Sequence, residues 1–459
     1  MDIQNIHVLK FGGTSMNDHQ TWKQVLEIIK KYEYPVVIVS ATARTTRQLV
    51  EAGRLAAQNN LEQANEIADS ILERHKVLVS DFLEKNPHGK NTLIKESCDK
   101  KLEEKIGLLK KLLMYTHKQQ DFSDKMRDAI TSMGEQISSY LLAQCGLAVD
   151  ILTQHVEAKK LIKTDAEYGK ANPNRMLINQ KCGSLETILE NGFTPIIGGF
   201  YGEAPDGTTT TLGFEGSDYT ASLIGGALHA KTIEIWTDVS GIYTSDPRYI
   251  DDARPIPELS YFDATEMAYF GARVLHPSTL KPAQERNIPV QVKNMFEPDA
   301  TGTRIIRESE HNRDVLAMSF KSDISLFTVS AYETVMGYSF LTKVFEALEK
   351  FRLPVDAVNT TEASVTIALS NSDKLSDLSK SLIEVGTVKV EKKKGLISLI
   401  GCTISKMDSL TEKVFQSMTS EDIDMITHTK EKRILSFVVS EDRLIDLARS
   451  IHSGLFNQG

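Results

Sequence analysis

The sequence has few cysteines and lacks any motif that would organise them. Cys98, Cys145, Cys182 and Cys402 are widely spaced in a chain of 459 residues. This spacing favours neither a disulfide framework nor a C-x-x-C metal or redox motif, and we interpret the four residues as buried, reduced thiols. The 11 histidines form no H-E-x-x-H motif. We therefore expect no structural metal site.

The sequence also lacks long hydrophobic runs and basic stretches. Its apolar runs have only the length of strands, and no basic segment precedes an apolar one at the N-terminus. We therefore expect neither a membrane span nor a signal peptide. The net charge of −9 and the absence of a Lys/Arg stripe with interleaved aromatics argue against nucleic acid as a partner. With 41% hydrophobic and 25% charged residues, the composition is typical of a folded cytoplasmic protein with more than one domain.

Both standard phosphate-binding patterns, G-x-x-x-x-G-K-[ST] and G-x-G-x-x-G, are missing. The segment Lys10-Phe11-Gly12-Gly13-Thr14-Ser15 stands instead between an apolar run at residues 6–9 and a helical pattern at residues 22–29. A second apolar run follows at residues 35–40, so the start of the chain reads as a βαβ unit. Glycines at the end of a strand allow backbone N–H groups to approach an anion, and Lys10 supplies a positive charge. Alone, such a segment is more often a Gly-Gly turn with a lysine that extends to solvent.

Three further clusters are candidates for chemistry. The threonine-rich stretch from Thr208 leads to Gly216, Ser217 and Asp218 at a predicted helix start, where an anion can bind or where Asp218 simply complements the helix dipole. Residues 235–248 gather polar and aromatic groups after a strand, which suits a purine and ribose or a packed turn. The third cluster pairs Gly134-Glu135 on a helix with residues 271–277 downstream.

The order of the predicted elements indicates an α/β protein. The helices are predicted at Leu61–Phe82, 100–118 and Asp121–Cys145, and the strands at Ala148–Leu152, Thr194–Phe200, Thr232–Trp236 and Pro289–Lys293. Alternation of this kind favours a mainly parallel sheet with helices on both faces. Residues 298–302 are typical of a domain boundary, so we predict a catalytic domain over 1–300.

The last third of the chain contains an internal repeat. Val344-Phe345 recurs as Val414-Phe415, and Val355-Asp356 recurs as Ile423-Asp424. Each copy reads strand, helix, strand, strand, helix, with residues 341, 344, 345 and 348 at core spacing in the first helix. This order is typical of a ferredoxin-like unit. We predict two such units over 301–459, with regulation or dimerisation as their role.

Taken together, these clusters resemble the aspartate kinases of the amino-acid kinase superfamily. The resemblance runs through the whole chain and rests on four segments in order, namely 10–15, 208–220, 236–248 and 271–277. It implies an amino-acid kinase fold followed by two ACT domains, the first at about 323–390 and the second at about 391–459 with the strand near 315–320. It also implies transfer of the ATP γ-phosphoryl group, with Mg²⁺ on the nucleotide, to the side chain of L-aspartate. This reaction is the first step of lysine, threonine and methionine biosynthesis.

The resemblance assigns roles to individual residues. It gives Lys10 and Asp218 catalytic roles, and it assigns aspartate binding to Thr46, Arg47, Glu135, Phe200 and Ser217. It assigns nucleotide binding to Lys10, Gly12, Gly13, Thr237, Asp238, Tyr243, Asp246, Arg248 and Arg273. Since a carboxylate is already ionised at neutral pH, the reaction needs no general base.

Three positions depart from the family pattern. Phe214 stands where the family has an arginine that meets a substrate carboxylate, Arg47 replaces an asparagine, and Arg273 replaces a lysine. A cation is thus lost at Phe214 and gained at Arg47, so we predict that Arg47 takes over the carboxylate; the alternative is a solvated surface arginine. The alternatives are a catalytically impaired sensor of amino acids and a kinase for another acidic substrate such as glutamate.

The resemblance to lysine-sensitive aspartate kinases also predicts an effector site and a dimer or dimer of dimers formed through the ACT domains. We expect lysine as the inhibitor, with threonine as the alternative. The predicted effector residues are Met336, Ser339, Phe340, Leu341, Val355, Asp356, Thr360, Thr361 and Glu362. The chain ends soon after the second unit, so no fused dehydrogenase domain is expected.

Overall fold

The computed structural model of the chain describes residues 5–269, 275, 277–309, 315–332, 338–353, 355–361, 363–401, 412, 414–416, 423–429 and 434–456. The predicted site residues Arg273, Met336 and Glu362 lie outside this part, as does Cys402. The backbone clusters into two compact units. Unit 1 comprises Met1–Ile242, Pro257–Tyr261 and Leu275–Ser309, and unit 2 comprises Tyr243–Ile256, Phe262–Val274 and Glu310–Gly459. The predicted domain boundary near residue 300 stays a prediction.

Unit 1 contains a mainly parallel sheet whose strands are apolar and buried. Its strands are β1 (Ile6–Phe11), β2 (Tyr34–Val39), β3 (Thr153–Val156), β4 (Thr194–Gly198), β5 (Tyr201–Glu203), β6 (Thr209–Thr211), β7 (Thr232–Thr237), β8 (Glu258–Ser260), β9 (Val290–Asn294) and β10 (Thr303–Ile306). The main sheet has the order β3-β4-β2-β1-β7-β9-β10-β8, and β5 pairs with β6 in a separate hairpin. In this sheet the six neighbouring strands β3, β4, β2, β1, β7 and β9 are parallel to one another, and β10 runs antiparallel to β9. Parallel strands bring their carboxyl ends to one edge, which is where open α/β sheets bind ligands.

The helices of unit 1 differ in their bounds from the prediction. They are α1 (His19–Ile29), α2 (Thr45–Ala57), α3 (Leu61–Lys85), α4 (Asn91–Gln119), α5 (Asp124–Thr131), α6 (Met133–Leu147), α7 (Ala158–Leu161), α8 (Arg175–Glu190), α9 (Gly216–Ala227) and α11 (Pro277–Glu285). Helix α10 (Tyr261–Tyr269) belongs to unit 2 from its second residue onward. The helix predicted from residue 121 to 145 is interrupted at Ser132.

The strand predicted at Ala148–Leu152 is wrong. The N–H groups of Ala148 and Val149 bond to the carbonyls of Cys145 and Gly146 and so end α6. The extended segment therefore begins only at Thr153. The mainly apolar segment 148–152 forms the turn that ends α6. Sequence periodicity cannot distinguish such a short apolar segment from a strand.

Unit 2 is built on a six-stranded antiparallel sheet. Its elements are β11 (Ala317–Ala331), α12 (Tyr338–Phe351), β12 (Ala357–Thr360), β13 (Ser364–Ser370), α13 (Leu375–Ile383), β14 (Gly386–Ile400), β15 (Ile423–Thr429), β16 (Ile434–Ser440) and α14 (Leu444–Phe456). The sheet order is β12-β13-β11-β14-β16-β15. The first half of β11 pairs with the second half of β14, which in turn pairs with β16, while the second half of β11 pairs with β13. Two ferredoxin-like arrangements thus share the long strands β11 and β14.

Core positions in unit 2 follow the predicted periodicity with one exception. Val365, Ile367 and Leu369 are fully buried on one face of β13, against Val344 of α12. Phe345, which was expected at core spacing, is 44% exposed. It follows Val344 directly and so points away from the face that packs on the sheet. Among the described residues, no helix is long and apolar enough to cross a membrane.

Candidate active site

The catalytic residues predicted from two distant motifs meet at the carboxyl end of β1. Lys10 Nζ lies 2.8 Å from Asp218 Oδ1, and both side chains are about nine-tenths buried. The N–H of Gly12 bonds to the carbonyl of Trp236, which ties the loop after β1 to the neighbouring strand β7. A Cβ added to Gly12 would lie 3.6 Å from Lys10 Nζ. The ammonium of Lys10 has three donors, so it can bind a phosphate oxygen while it stays paired with Asp218.

A cleft of about 570 Å³ opens beside this ion pair within unit 1. It brings together the predicted aspartate-binding residues with one glycine of the first motif, and it adds a loop that was not predicted. The lining residues are Gly13, Ser40, Ala41, Thr42, Ala43, Arg44, Thr46, Arg47, Glu135, Phe200, Gly213, Phe214, Glu215, Gly216, Ser217 and Asp218.

Two helices begin at this cleft without a side-chain cap. Helix α2 starts after Arg44, whose φ is +70°, and α9 starts after Glu215, whose φ is +53°. Neither residue accepts a hydrogen bond from the first turn through its side chain. The first-turn N–H groups, which include those of Thr46 and Ser217, are therefore available to an anion, and both helix dipoles favour negative charge there.

Glu135 places a carboxyl group in the wall of the cleft. The residue is 4% exposed, and its Oε2 has no hydrogen-bond partner among the described residues. Burial raises the pKa of Glu135 to about 8, although the backbone N–H groups of Ala41 and of Glu135 itself oppose the rise. A buried carboxyl group without a cation is costly when ionised. Glu135 is thus suited to pair with an ammonium group that a ligand brings.

Close packing holds the remaining walls. Phe200 has a φ of +76° and donates its N–H to Thr220 Oγ1 at 3.0 Å. A Cβ on Gly199 would come within 2.7 Å of Ser217, and one on Gly216 within 2.8 Å of the Phe200 ring. Larger side chains at these two glycines would therefore push Phe200 and Ser217 out of the cleft.

Sequence reasoning missed the network that supports the loop before α2. Arg74 of α3 donates to the carbonyl of Ala43 and to Thr45 Oγ1, each at 2.6 Å. His75 is fully buried; its Nδ1 lies 2.6 Å from the carbonyl of Ile71 and its Nε2 lies 2.8 Å from Thr42 Oγ1. Because Nδ1 must donate to the carbonyl, Nε2 accepts from Thr42, and burial lowers the pKa of His75 to about 4. No pattern in the sequence linked these residues to the site.

The predicted nucleotide residues fall into two groups. Thr237 and Asp238 follow β7 in unit 1, where Thr237 Oγ1 donates to Asp238 Oδ1 at 3.1 Å. Tyr243, Asp246 and Arg248 belong to unit 2, in which Arg248 donates to both carboxylate oxygens of Asp246. Their nucleotide role stays a prediction.

The predicted effector residues that the structure describes lie in unit 2. Ser339, Phe340 and Leu341 lie in the first turn of α12, and Phe340 and Leu341 pack on its core. Val355, Thr360 and Thr361 are exposed.

Asp356, the predicted partner of an effector ammonium, is already engaged in this structure. Lys321 Nζ lies 2.8 Å from its Oδ1, and Ser370 Oγ donates to its Oδ2 at 2.8 Å. The side chain of Asp356 is only 7% exposed. An effector must therefore compete with Lys321 for this carboxylate.

Known proteins resemble this chain over most of its length. Residues 5–294 match the model of the amino acid kinase family. The chain is 32% identical to lysine-sensitive aspartokinase 3 of Escherichia coli over 99% of its length and 100% of that protein. It is 30% identical to the chloroplastic aspartokinase 1 of Arabidopsis thaliana, with coverage of 98% and 80%.

Solved structures give the same answer at the level of the fold. The crystal structure of E. coli aspartokinase III in complex with aspartate and ADP superposes with a TM-score of 0.81 at 31% identity, covering 98% of this chain and 100% of that one. The complex of the same enzyme with lysine and aspartate gives a TM-score of 0.79 at 30% identity, with coverage of 98% and 99%. The chain therefore belongs to the amino acid kinase family and, within it, to the aspartokinases.

Proposed function

We propose that the protein transfers the γ-phosphoryl group of ATP to the side-chain carboxylate of L-aspartate and so forms 4-phospho-L-aspartate and ADP. One observation carries the proposal: a single cleft lies beside the Lys10–Asp218 pair and is lined by Asp218, by two uncapped helix starts and by Glu135, whose Oε2 has no partner among the described residues. These groups match the two substrates: aspartate brings an ammonium group and two carboxylates, and ATP brings the phosphates. A relative at 31% identity that binds aspartate and ADP supports the same reading.

The chemistry requires positioning and charge neutralisation. A side-chain carboxylate oxygen of aspartate forms a bond to the γ-phosphorus, and the bond from that phosphorus to the β–γ bridging oxygen breaks, with its electrons leaving on ADP. Lys10 neutralises charge that develops on the transferring group, while Asp218 keeps the ammonium of Lys10 directed into the cleft. Neither residue has to take a proton from the substrate, because the attacking carboxylate is already ionised.

On the substrate side, Glu135 pairs with the ammonium of aspartate. Thr46 and Ser217 offer first-turn N–H groups and hydroxyls to its carboxylates, and Phe200 shapes the wall. Arg47 is exposed and lines the same cleft, which supports its proposed contact with the α-carboxylate.

On the nucleotide side, Gly12 and Gly13 allow a close approach of backbone to the phosphates. Thr237 and Asp238 of unit 1 are proposed contacts to the rest of ATP. For Tyr243, Asp246, Arg248 and Arg273 the nucleotide role stays a prediction from the sequence. Mg²⁺ enters as part of the nucleotide substrate and neutralises phosphate charge.

The proposal is tested by ADP release coupled to trapping of the acyl phosphate with hydroxylamine. Aspartate should give stoichiometric hydroxamate and ADP, whereas glutamate should give neither above background. Product from glutamate at a comparable rate would replace the substrate assignment. Absence of product from both, with aspartate binding retained, would favour an impaired amino-acid sensor.

We also propose that unit 2 carries feedback inhibition by lysine in a homodimer formed through the ACT domains. The support is the similarity to a lysine-sensitive relative at 32% identity and a buried carboxylate, Asp356, at the predicted effector segment. Inhibition should be cooperative, since an effector acts by favouring one global state of the dimer. Activity against increasing lysine and threonine, with the oligomer measured by light scattering, tests both parts.

A further inference from the structure

Arg44 adopts a backbone conformation that favours glycine. Its φ is +70°, and it stands directly before the first residue of α2. Left-handed backbone is unfavourable for a side chain with a Cβ, and glycine is well accepted at the start of a helix. An arginine at this position therefore does not stabilise the backbone, and its side chain does not cap the helix.

The positive charge around this turn is not balanced. Arg44, Arg47 and Arg74 surround the start of α2, and within the described part of the chain none of them forms an ion pair with a carboxylate. Burial and the nearby charge of Arg44 lower the pKa of Arg74. Guanidinium groups that repel one another at a helix N-terminus form a site suited to an anion.

The cleft has the opposite imbalance at Glu135. That carboxyl group is 4% exposed, and its Oε2 has no partner within the part of the chain that the structure describes, while Arg44 and Arg47 lie among the residues that line the same space. An acceptor for an ammonium and donors for a carboxylate are thus paired, as an α-amino acid requires. Phe214, at the position of the usual family arginine, is 79% exposed and carries no charge.

We propose that Arg44, together with Arg47, binds the α-carboxylate of the amino-acid substrate. This contact would make Arg44 a specificity-determining residue. Arg74 is a positioning residue, because it holds Ala43 and Thr45 on both sides of Arg44. The inference rests on the proposed aspartate kinase activity and adds the group by which the enzyme distinguishes aspartate from derivatives without a free α-carboxylate.

The test compares L-aspartate with its α-amide, which keeps the ammonium and the side-chain carboxylate. Arg44→Gly should lower kcat/KM for aspartate by about 10- to 150-fold, the loss expected for a charge-assisted hydrogen bond. It should change kcat/KM for the α-amide by less than about 3-fold, because the neutral amide has no negative charge that could pair with Arg44. The KM for ATP should stay the same, and Arg44→Lys should recover part of the activity since it keeps the charge without the planar fork.

Two control variants separate binding from structure. Arg54→Ala removes an exposed arginine from the last turn of the same helix, and it should leave both substrates unaffected. Gln120→Gly relieves a left-handed residue, with φ of +50°, away from the cleft. Both Gln120→Gly and Arg44→Gly should keep or raise Tm, so that Arg44→Gly weakens aspartate use without weakening the fold.

Equal losses for aspartate and its α-amide, or no loss for either, would overturn the inference while the kinase activity stands. If wild-type protein neither phosphorylates aspartate nor binds it by calorimetry, the proposed function and this inference fall together.

Discussion

Lys10 and Asp218 form an ion pair of 2.8 Å between the end of the first strand and the first turn of α9. The two residues come from motifs that are far apart in sequence, and both side chains are about nine-tenths buried. Within the described part of unit 1, the pair stands beside the cleft that contains Glu135 and the starts of α2 and α9. This relationship supplies the anchor for the first prediction.

Lys10→Ala should lower kcat by roughly 10²–10³-fold, because it removes a preorganised charge worth about 3–4 kcal/mol to the transition state. Circular dichroism should show an intact fold. Lys30→Ala, which removes an exposed partner of Glu27, is the matched control and should leave kcat unchanged. Near-normal turnover in Lys10→Ala would remove Lys10 from the active site.

Glu135→Gln should abolish aspartate binding and yet stabilise the substrate-free protein at higher pH. The folded-state pKa of Glu135 is raised from 4.5 to about 8, so the folded protein favours the protonated form. Stability is therefore lost as pH rises from about 4.5 through about 8, and glutamine escapes this loss. Denaturant unfolding at pH 5 and pH 8 measures the free energy of unfolding of both proteins. The excess stability of the variant over wild type should grow with pH, and the same excess at both pH values would contradict the assignment.

Aspartate binding should release a proton from the same residue. Between pH 4.5 and 8 the empty site holds Glu135 protonated, and pairing with the substrate ammonium ionises it, so up to about one proton leaves. Calorimetry at pH 7 in buffers of different ionisation enthalpy counts the protons. A value near zero for wild-type protein would exclude Glu135 as the partner of the ammonium.

Arg47→Ala should weaken aspartate use by roughly 10- to 150-fold with little change in the KM for ATP. If Arg44 and Arg47 hold one carboxylate, the double variant Arg44→Gly with Arg47→Ala should lose less than the product of the two single losses. Steady-state kinetics of the three variants decide this. If the aspartate kinetics of Arg47→Ala are unchanged, Arg47 is a surface residue without a role in aspartate binding.

Lysine sensitivity should respond in opposite directions to two substitutions in unit 2. Asp356→Ala should desensitise the enzyme without reducing uninhibited turnover. Lys321→Met should lower the lysine concentration needed for half inhibition by about 10-fold, because it frees a buried carboxylate for the effector ammonium. Lys380→Met, which breaks an exposed pair with Asp377, is the control. Loss of inhibition in Lys321→Met, or equal inhibition of wild-type enzyme by threonine, would contradict the assignment.

Much of the fold could be predicted because its signals are local. The βαβ start, the alternating strands and the core face of β13 follow from periodicity that each segment carries by itself. Helix ends were less predictable. The helix predicted to 145 splits at Ser132, and residues 148–152 end a helix rather than form a strand, because hydrogen bonds at helix ends depend on neighbours that periodicity does not describe.

The sequence alone determined the family and the fold class and indicated part of the cleft lining, since glycine positions, charge type and order along the chain are sequence properties, whereas the lining loop at residues 40–44 was not predicted. Tertiary structure alone decided which charges find partners. It paired Lys10 with Asp218 and Asp356 with Lys321, left Glu135 Oε2 without a partner among the described residues, and brought Arg74 to the loop that carries Arg44. The physical reason is that ion pairing and desolvation act through space over a few ångströms, so they depend on contacts between residues that can be far apart in the chain.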